Sequence, residues 1–118
     1  MSNAGWIGVD LDGTLAFYVD WVHHANIGEP IRPMVNRVKK WIADGYKVKV
    51  FTARMSVEDE AIRSEIAAAI RLWTTRNIGK PLEATCIKDL NMIELWDDRA
   101  VGVFHNTGEP SGPSPLGL

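Results

Sequence analysis

Asp10-Leu11-Asp12-Gly13-Thr14 places two carboxylates one residue apart, directly after the apolar run Trp6-Ile7-Gly8-Val9. Side chains two positions apart on an extended strand point the same way, so both acids would leave such a strand together. Gly13 lets the backbone turn sharply, and Thr14 can hydrogen-bond into the following loop. One carboxylate could attack an electrophile while the other manages protons, with a hard divalent cation held between them. A polar structural turn is the plain alternative. A calcium EF-hand is not one, because that loop needs Gly at its sixth position and Glu at its twelfth, where counting from Asp10 gives Leu15 and Trp21.

Other chemistry-bearing residues recur in the same setting. The run Tyr46-Lys47-Val48-Lys49-Val50-Phe51 ends in Thr52-Ala53-Arg54, Lys88 follows Cys86-Ile87, and Ile93-Glu94-Leu95-Trp96 runs into Asp97-Asp98-Arg99. Sites in open α/β sheets form outside the carboxyl ends of the strands, and all of these residues fall at or just after predicted strand ends. A phosphoryl group needs a nucleophile, a cation to offset its oxygens, donors to orient it and an acid for the leaving group. Taken singly, Thr52 reads as a turn residue and Asp97-Asp98 as a solvated acidic turn. Arg54 could grip a substrate, pair with an acid or be solvated.

In this order the four segments resemble the motifs of the haloacid-dehalogenase (HAD) superfamily of aspartate-nucleophile phosphatases, over roughly residues 6–105. The resemblance implies that Asp10 is the nucleophile and becomes an aspartyl-phosphate. Asp12 would be the general acid that then activates water, and would lend its backbone carbonyl to Mg²⁺. Thr52 would orient the phosphate with the Ala53 N–H as a second donor, and Lys88 would bridge nucleophile and phosphate. Asp97 would join Asp10 and Asp12 around the metal, with Asp98, Thr14 and Arg54 in support. Lys88, nine positions before Asp97, fits the cationic role better than Lys80, which sits beside Pro81 in a connection. A receiver domain fits less well, because its acidic pair should precede the phosphorylated Asp.

The elements that must carry these residues can be read from periodicity. Residues 6–9 and 46–51 suit buried strands, and shorter strands are expected near 83–87, 93–96 and 100–104. Pro33 suits a first helical position, and Val35, Val38, Trp41 and Ile42 then recur at helical spacing until Gly45, which predicts a helix over 33–44. Ser56 with Asp59 makes an acidic variant of the capping box ahead of a helix over 57–77, whose face is marked by Ile62, Ile66, Ala69, Ile70 and Trp73. Trp41 and Trp73 are expected against the sheet. Alternating strands and helices imply a three-layer, Rossmann-like α/β fold: a mainly parallel sheet with helices on both faces. Neither gap between motifs leaves room for a cap domain. The site would then be open unless a partner subunit or the aromatic segment 15–30, with Tyr18 and Trp21 as substrate candidates, covers it.

With 118 residues the chain suits one domain, 46% hydrophobic and 24% charged, as in ordinary globular proteins. We divide it into a short start over 1–5, in which Ser2-Asn3-Ala4 has the look of a cloning remnant, the domain over 6–105, and an irregular Gly- and Pro-rich tail over 106–118. No apolar run would span a bilayer and no secretory signal pattern opens the chain, so a cytoplasmic location without membrane partners is expected. The 13 Lys and Arg against 15 Asp and Glu argue against a broad nucleic-acid footprint, leaving polymeric nucleic acid only as an end-phosphate substrate. Cys86, the only cysteine, reads as a buried strand residue. His23 and His24, adjacent and without Cys or a third His, read as exposed loop residues pointing apart rather than a zinc site.

The sequence therefore predicts an Mg²⁺-dependent phosphoric monoester hydrolase, its substrate a nucleotide or nucleic-acid-end phosphate. The alternative is a regulatory domain that binds Mg²⁺ and a phosphate ligand in the same pocket without turnover.

Overall fold

The computed structural model describes residues 5–18 and 23–118; Trp21 lies outside the described residues. The elements run β1 (Trp6–Val9), α1 (Arg32–Ala43), β2 (Lys47–Phe51), a single 3-10 turn (Ala53–Ser56), α2 (Glu60–Ile78), β3 (Ala84–Thr85) and β4 (Met92–Trp96). All strand pairs are parallel, in the order β3-β2-β1-β4. Val9 pairs with Val50 on one side and Trp96 on the other, so the residues that follow all three strands emerge at one edge.

The steps from β1 to β2 and from β2 to β3 run in the same direction across the sheet, and right-handed crossovers then put both helices on the same side. Their shared core agrees. Ile7, Val9, Val48 and Val50 meet Met34, Val35 and Val38 of α1 and Ile66, Ile70 and Ile78 of α2 in a single buried cluster. The expected pattern had helices on both faces; among the described residues both cover this one. On the opposite face Gly8 leaves room for Trp6, whose ring would lie 3.1 Å from a Cβ at that position. Trp6 is covered there by Lys49, with Nζ 4.7 Å from the ring centroid, and its indole N–H donates to Asp89 at 2.9 Å.

Trp41 packs on the core and against Trp96, ring centroids 5.1 Å apart, and the Arg37 guanidinium lies over the Trp96 ring. Trp73 also packs on the core and donates to the Gly28 carbonyl at 2.9 Å. Thr74 is fully buried in α2, where its hydroxyl donates to the Ile70 carbonyl and accepts the Leu82 N–H, tying the chain after the helix to the core.

Three expectations need correction. The N-cap of α2 is Asp59, which accepts the Ile62 N–H at 3.0 Å, while Ser56 belongs to the preceding 3-10 turn and donates to Ala53. Asp59→Ala should therefore cost about 1 kcal/mol in urea unfolding and Ser56→Ala much less, the reverse of the order a Ser56 cap would give. No fifth strand forms over 100–104 among the described residues. That segment folds back on the tail instead, through Phe104 N–H to Glu109 O at 2.9 Å and Ser111 N–H to Gly102 O at 2.7 Å, leaving Val103 and Phe104 exposed. Cys86 is exposed, because β3 stops at Thr85 and the next residue is already past the sheet edge.

No helix among the described residues is long and apolar enough to cross a membrane.

Candidate functional site

A cavity of about 650 Å³ opens at the carboxyl edge of the sheet, lined among others by Asp10, Asp12, Thr52, Arg54, Asp97 and Asp98. Asp10 is held by β4, its N–H donating to the Trp96 carbonyl at 2.9 Å. One carboxylate oxygen from each of Asp10, Asp97 and Asp98 lies within 4.8 Å of the other two. Burial pushes the Asp10 carboxyl up from its ordinary 3.8 to about 7, with the charge of Asp97 and the hydrogen bond and charge of Asp98 adding to the rise. An all-oxygen trio of this kind suits a hard cation such as Mg²⁺ by donor chemistry, and a bound cation would relieve the repulsion among the three acids.

The acid loop is fixed by its own turn. Gly13 N–H donates to the Ala16 carbonyl at 2.8 Å, and the Thr14 hydroxyl accepts the Asp98 N–H at 3.2 Å, joining the loops after β1 and β4. Gly13 has φ +88°, and a Cβ there would lie 2.5 Å from Asp98 Oδ2. Gly13→Ala thus suffers both a left-handed backbone and a carboxylate collision. We expect it to lose about 1–3 kcal/mol of stability by thermal melting.

Arg54 resolves the three roles open to it. Its Nε and Nη2 donate to both oxygens of Asp12 at 2.8 and 2.7 Å, and its Nη1 donates to the carbonyls of His24 and Asn26 at 2.9 and 2.7 Å. One buried guanidinium therefore holds the Asp12 carboxylate and the segment 23–26 together. Asp12 is turned toward Arg54, and the third carboxylate of the acid cluster is Asp98, a larger part than the supporting one predicted for it.

Thr52 is buried, its N–H bound to the Thr85 carbonyl at 2.8 Å and its hydroxyl accepting the Arg54 N–H at 3.1 Å. That arrangement leaves the hydroxyl proton free to donate. Ala53 lines the cavity, as do Tyr18, Cys86 and Arg99. Lys88 is exposed on the connection between β3 and β4 and does not line the cavity. Lys80 lies with Lys47 and Val48 near the amino end of β2, away from the carboxyl edge. The flap is closed at its base, where Phe17 N–H donates to Glu29 O and Ile31 N–H to Leu15 O, both at 2.8 Å. Gly28 is required there, since a Cβ would overlap the Phe17 carbonyl.

No protein-family model, curated protein or solved structure matches this chain.

His23 and His24 do not point apart. Their ring centroids are 4.0 Å apart, and His24 Nε2 lies 3.0 Å from Glu65 Oε2 on α2. Asn26 N–H donates to the His23 carbonyl at 2.9 Å and closes a turn in which the two rings come together.

Proposed function

We propose that the chain is an Mg²⁺-dependent phosphoric monoester hydrolase of the HAD type, acting through a phosphoaspartate. The observation that supports this most is the convergence of Asp10, Asp97 and Asp98 beside the buried Thr52 in one cavity, from segments far apart in sequence. Asp10 would attack phosphorus and expel the alkoxide, and the acyl-phosphate would then be hydrolysed by water, returning the carboxylate. The hydroxyl of Thr52 and the N–H of Ala53 would orient the phosphoryl oxygens, while Asp12, held by Arg54, would pass the proton to the leaving oxygen and take one from water. Asp10 and Asp97, with Asp98 and the Asp12 carbonyl, would hold Mg²⁺, which supplies positive charge against the phosphoryl oxygens. Lys88 would have to approach from its connection to serve as the bridging cation.

An uncapped organisation and a cytoplasmic location belong to the same proposal, and a full three-layer arrangement would add a covering over the Trp6 face. An open edge suits an accessible ester, a nucleotide or a nucleic-acid end, with Tyr18 and Trp21 as the aromatic contacts. Hydrolysis of an aryl phosphate should vanish with chelator and return with Mg²⁺, and Asp97→Ala should raise the Mg²⁺ needed. Full activity in metal-free protein would remove the reading.

Two observations favour a second reading, a regulatory domain that binds Mg²⁺ and a phosphate ligand without turnover. Both Asp12 oxygens are engaged by Arg54, and Lys88 stands outside the cavity. Saturable phosphate binding with no hydrolysis of any ester in a broad panel would select it.

A further inference from the structure

The two imidazoles and the carboxylate gathered on the flank of the flap form a donor set of a different kind from the acid cluster. One ligand atom from each of His23, His24 and Glu65 can be chosen so that all three lie within 4.8 Å of one another. Glu65 comes from α2, whereas the histidines come from the turn after the flap's aromatic part. His24 Nε2 is buried and faces the Glu65 carboxylate at 3.0 Å, a contact that holds the Glu65 carboxyl below its ordinary value. A divalent ion seated between the two would take the imidazole lone pair and a carboxylate oxygen as ligands together.

We infer that His23, His24 and Glu65 form a binding site for a borderline-soft divalent ion of the Zn²⁺ class, separate from the oxygen-only cluster of Asp10, Asp97 and Asp98. Imidazole nitrogen and carboxylate oxygen bind Zn²⁺ at about 2.0–2.2 Å, which puts neighbouring ligand atoms of a tetrahedral ion roughly 3.4 Å apart. The His24–Glu65 pair is already at that scale, and rotation of the exposed His23 and Glu65 side chains closes the remainder. Ligation by His23 gives up the 3.2 Å bond that its Nδ1 accepts from the Ala25 N–H, an exposed contact that water replaces. The fourth position falls to solvent. Because the carbonyls of His24 and Asn26 accept from Arg54, the ion would fasten to α2 the same turn that helps to hold Asp12 in place. The site does not depend on the proposed hydrolase activity.

The test is equilibrium dialysis of the untagged full chain against Zn²⁺ with excess Mg²⁺ present, followed by Co²⁺ substitution. One Zn²⁺ per chain is expected, retained in Asp97→Asn and weakened at least tenfold in both His24→Gln and Glu65→Gln. The wild-type Co²⁺ form should show the intense visible absorption of a low-coordinate, nitrogen-bound ion. Absence of Zn²⁺ uptake by the wild type would overturn the site. So would uptake that survives in the His23→Ala/His24→Ala double variant but is lost in Asp97→Asn, or a Co²⁺ spectrum with only the weak band of an octahedral oxygen shell. The wild-type spectrum needs no variant to fold.

Discussion

Asp10→Asn should abolish phosphate-ester hydrolysis while making the metal-free protein more stable at pH 8. The amide cannot form an acyl-phosphate readily, and loss of a covalent nucleophile typically costs on the order of 10⁴-fold or more in turnover. The gain in stability follows from the raised carboxyl, at about 7 when folded against 3.8 ordinarily. Between those values the folded chain keeps a proton that the unfolded chain has lost, so stability falls as pH rises through the window and the full penalty is present above it. At 1.36 kcal/mol per unit the span would amount to about 4 kcal/mol, and solvent around a half-buried group reduces this to roughly 1–2. Asparagine carries no such penalty. The metal-free variant should therefore melt several degrees above the wild type at pH 8, with the gap closing below about pH 4. Equal melting temperatures at pH 8 would mean that Asp10 is not strained by its neighbours; retained turnover would remove it as nucleophile.

Arg54→Ala should produce the largest loss of stability of any substitution at the site. The Arg54 side chain is 5% exposed and that of Asp12 21%, so truncation strands a largely desolvated carboxylate and also removes the donor to the carbonyls of His24 and Asn26. Breaking one partner out of a buried pair costs about 3–5 kcal/mol, and the partial exposure of Asp12 places the expectation near the lower end. Arg54→Lys should recover only part of this, because a single ammonium cannot reproduce the two parallel bonds to both oxygens. Urea unfolding with an unchanged m-value gives the measurement. A change under about 0.5 kcal/mol, the usual range for a surface substitution, would show that the ion pair is dispensable.

Hydrophobic patterning revealed β1, α1, β2 and α2 because their apolar residues are buried, and burial is what the pattern records; β4 was legible from its apolar run, although none of its residues is fully buried. It overreached at residues 100–104, where apolar residues signal a capacity to pair without saying with what; the partner is the tail rather than the sheet. The convergence of Asp10, Asp97 and Asp98 was legible because strand ends in a parallel sheet share an edge. Arg54 was not, since its partner lies 42 positions earlier and spacing carries no information about a contact of that range. Lys88 was placed at the edge by expecting a strand as far as residue 87, whereas β3 ends at Thr85 and it is Cys86 that meets the cavity. The histidine pair was misjudged because adjacency in a loop does not fix where two side chains point, and the turn closed by Asn26 brings the rings to 4.0 Å.

Trp96 immediately precedes Asp97, and its ring meets that of Trp41 at a centroid separation of 5.1 Å, tilted by 57°. Two indoles this close share their electronic excitation, so the pair contributes a near-ultraviolet circular dichroism signal sensitive to their mutual angle. A movement of the end of β4 that changes the angle between the rings would change that signal. The protein thus carries its own chromophore at the rim of the acid cluster.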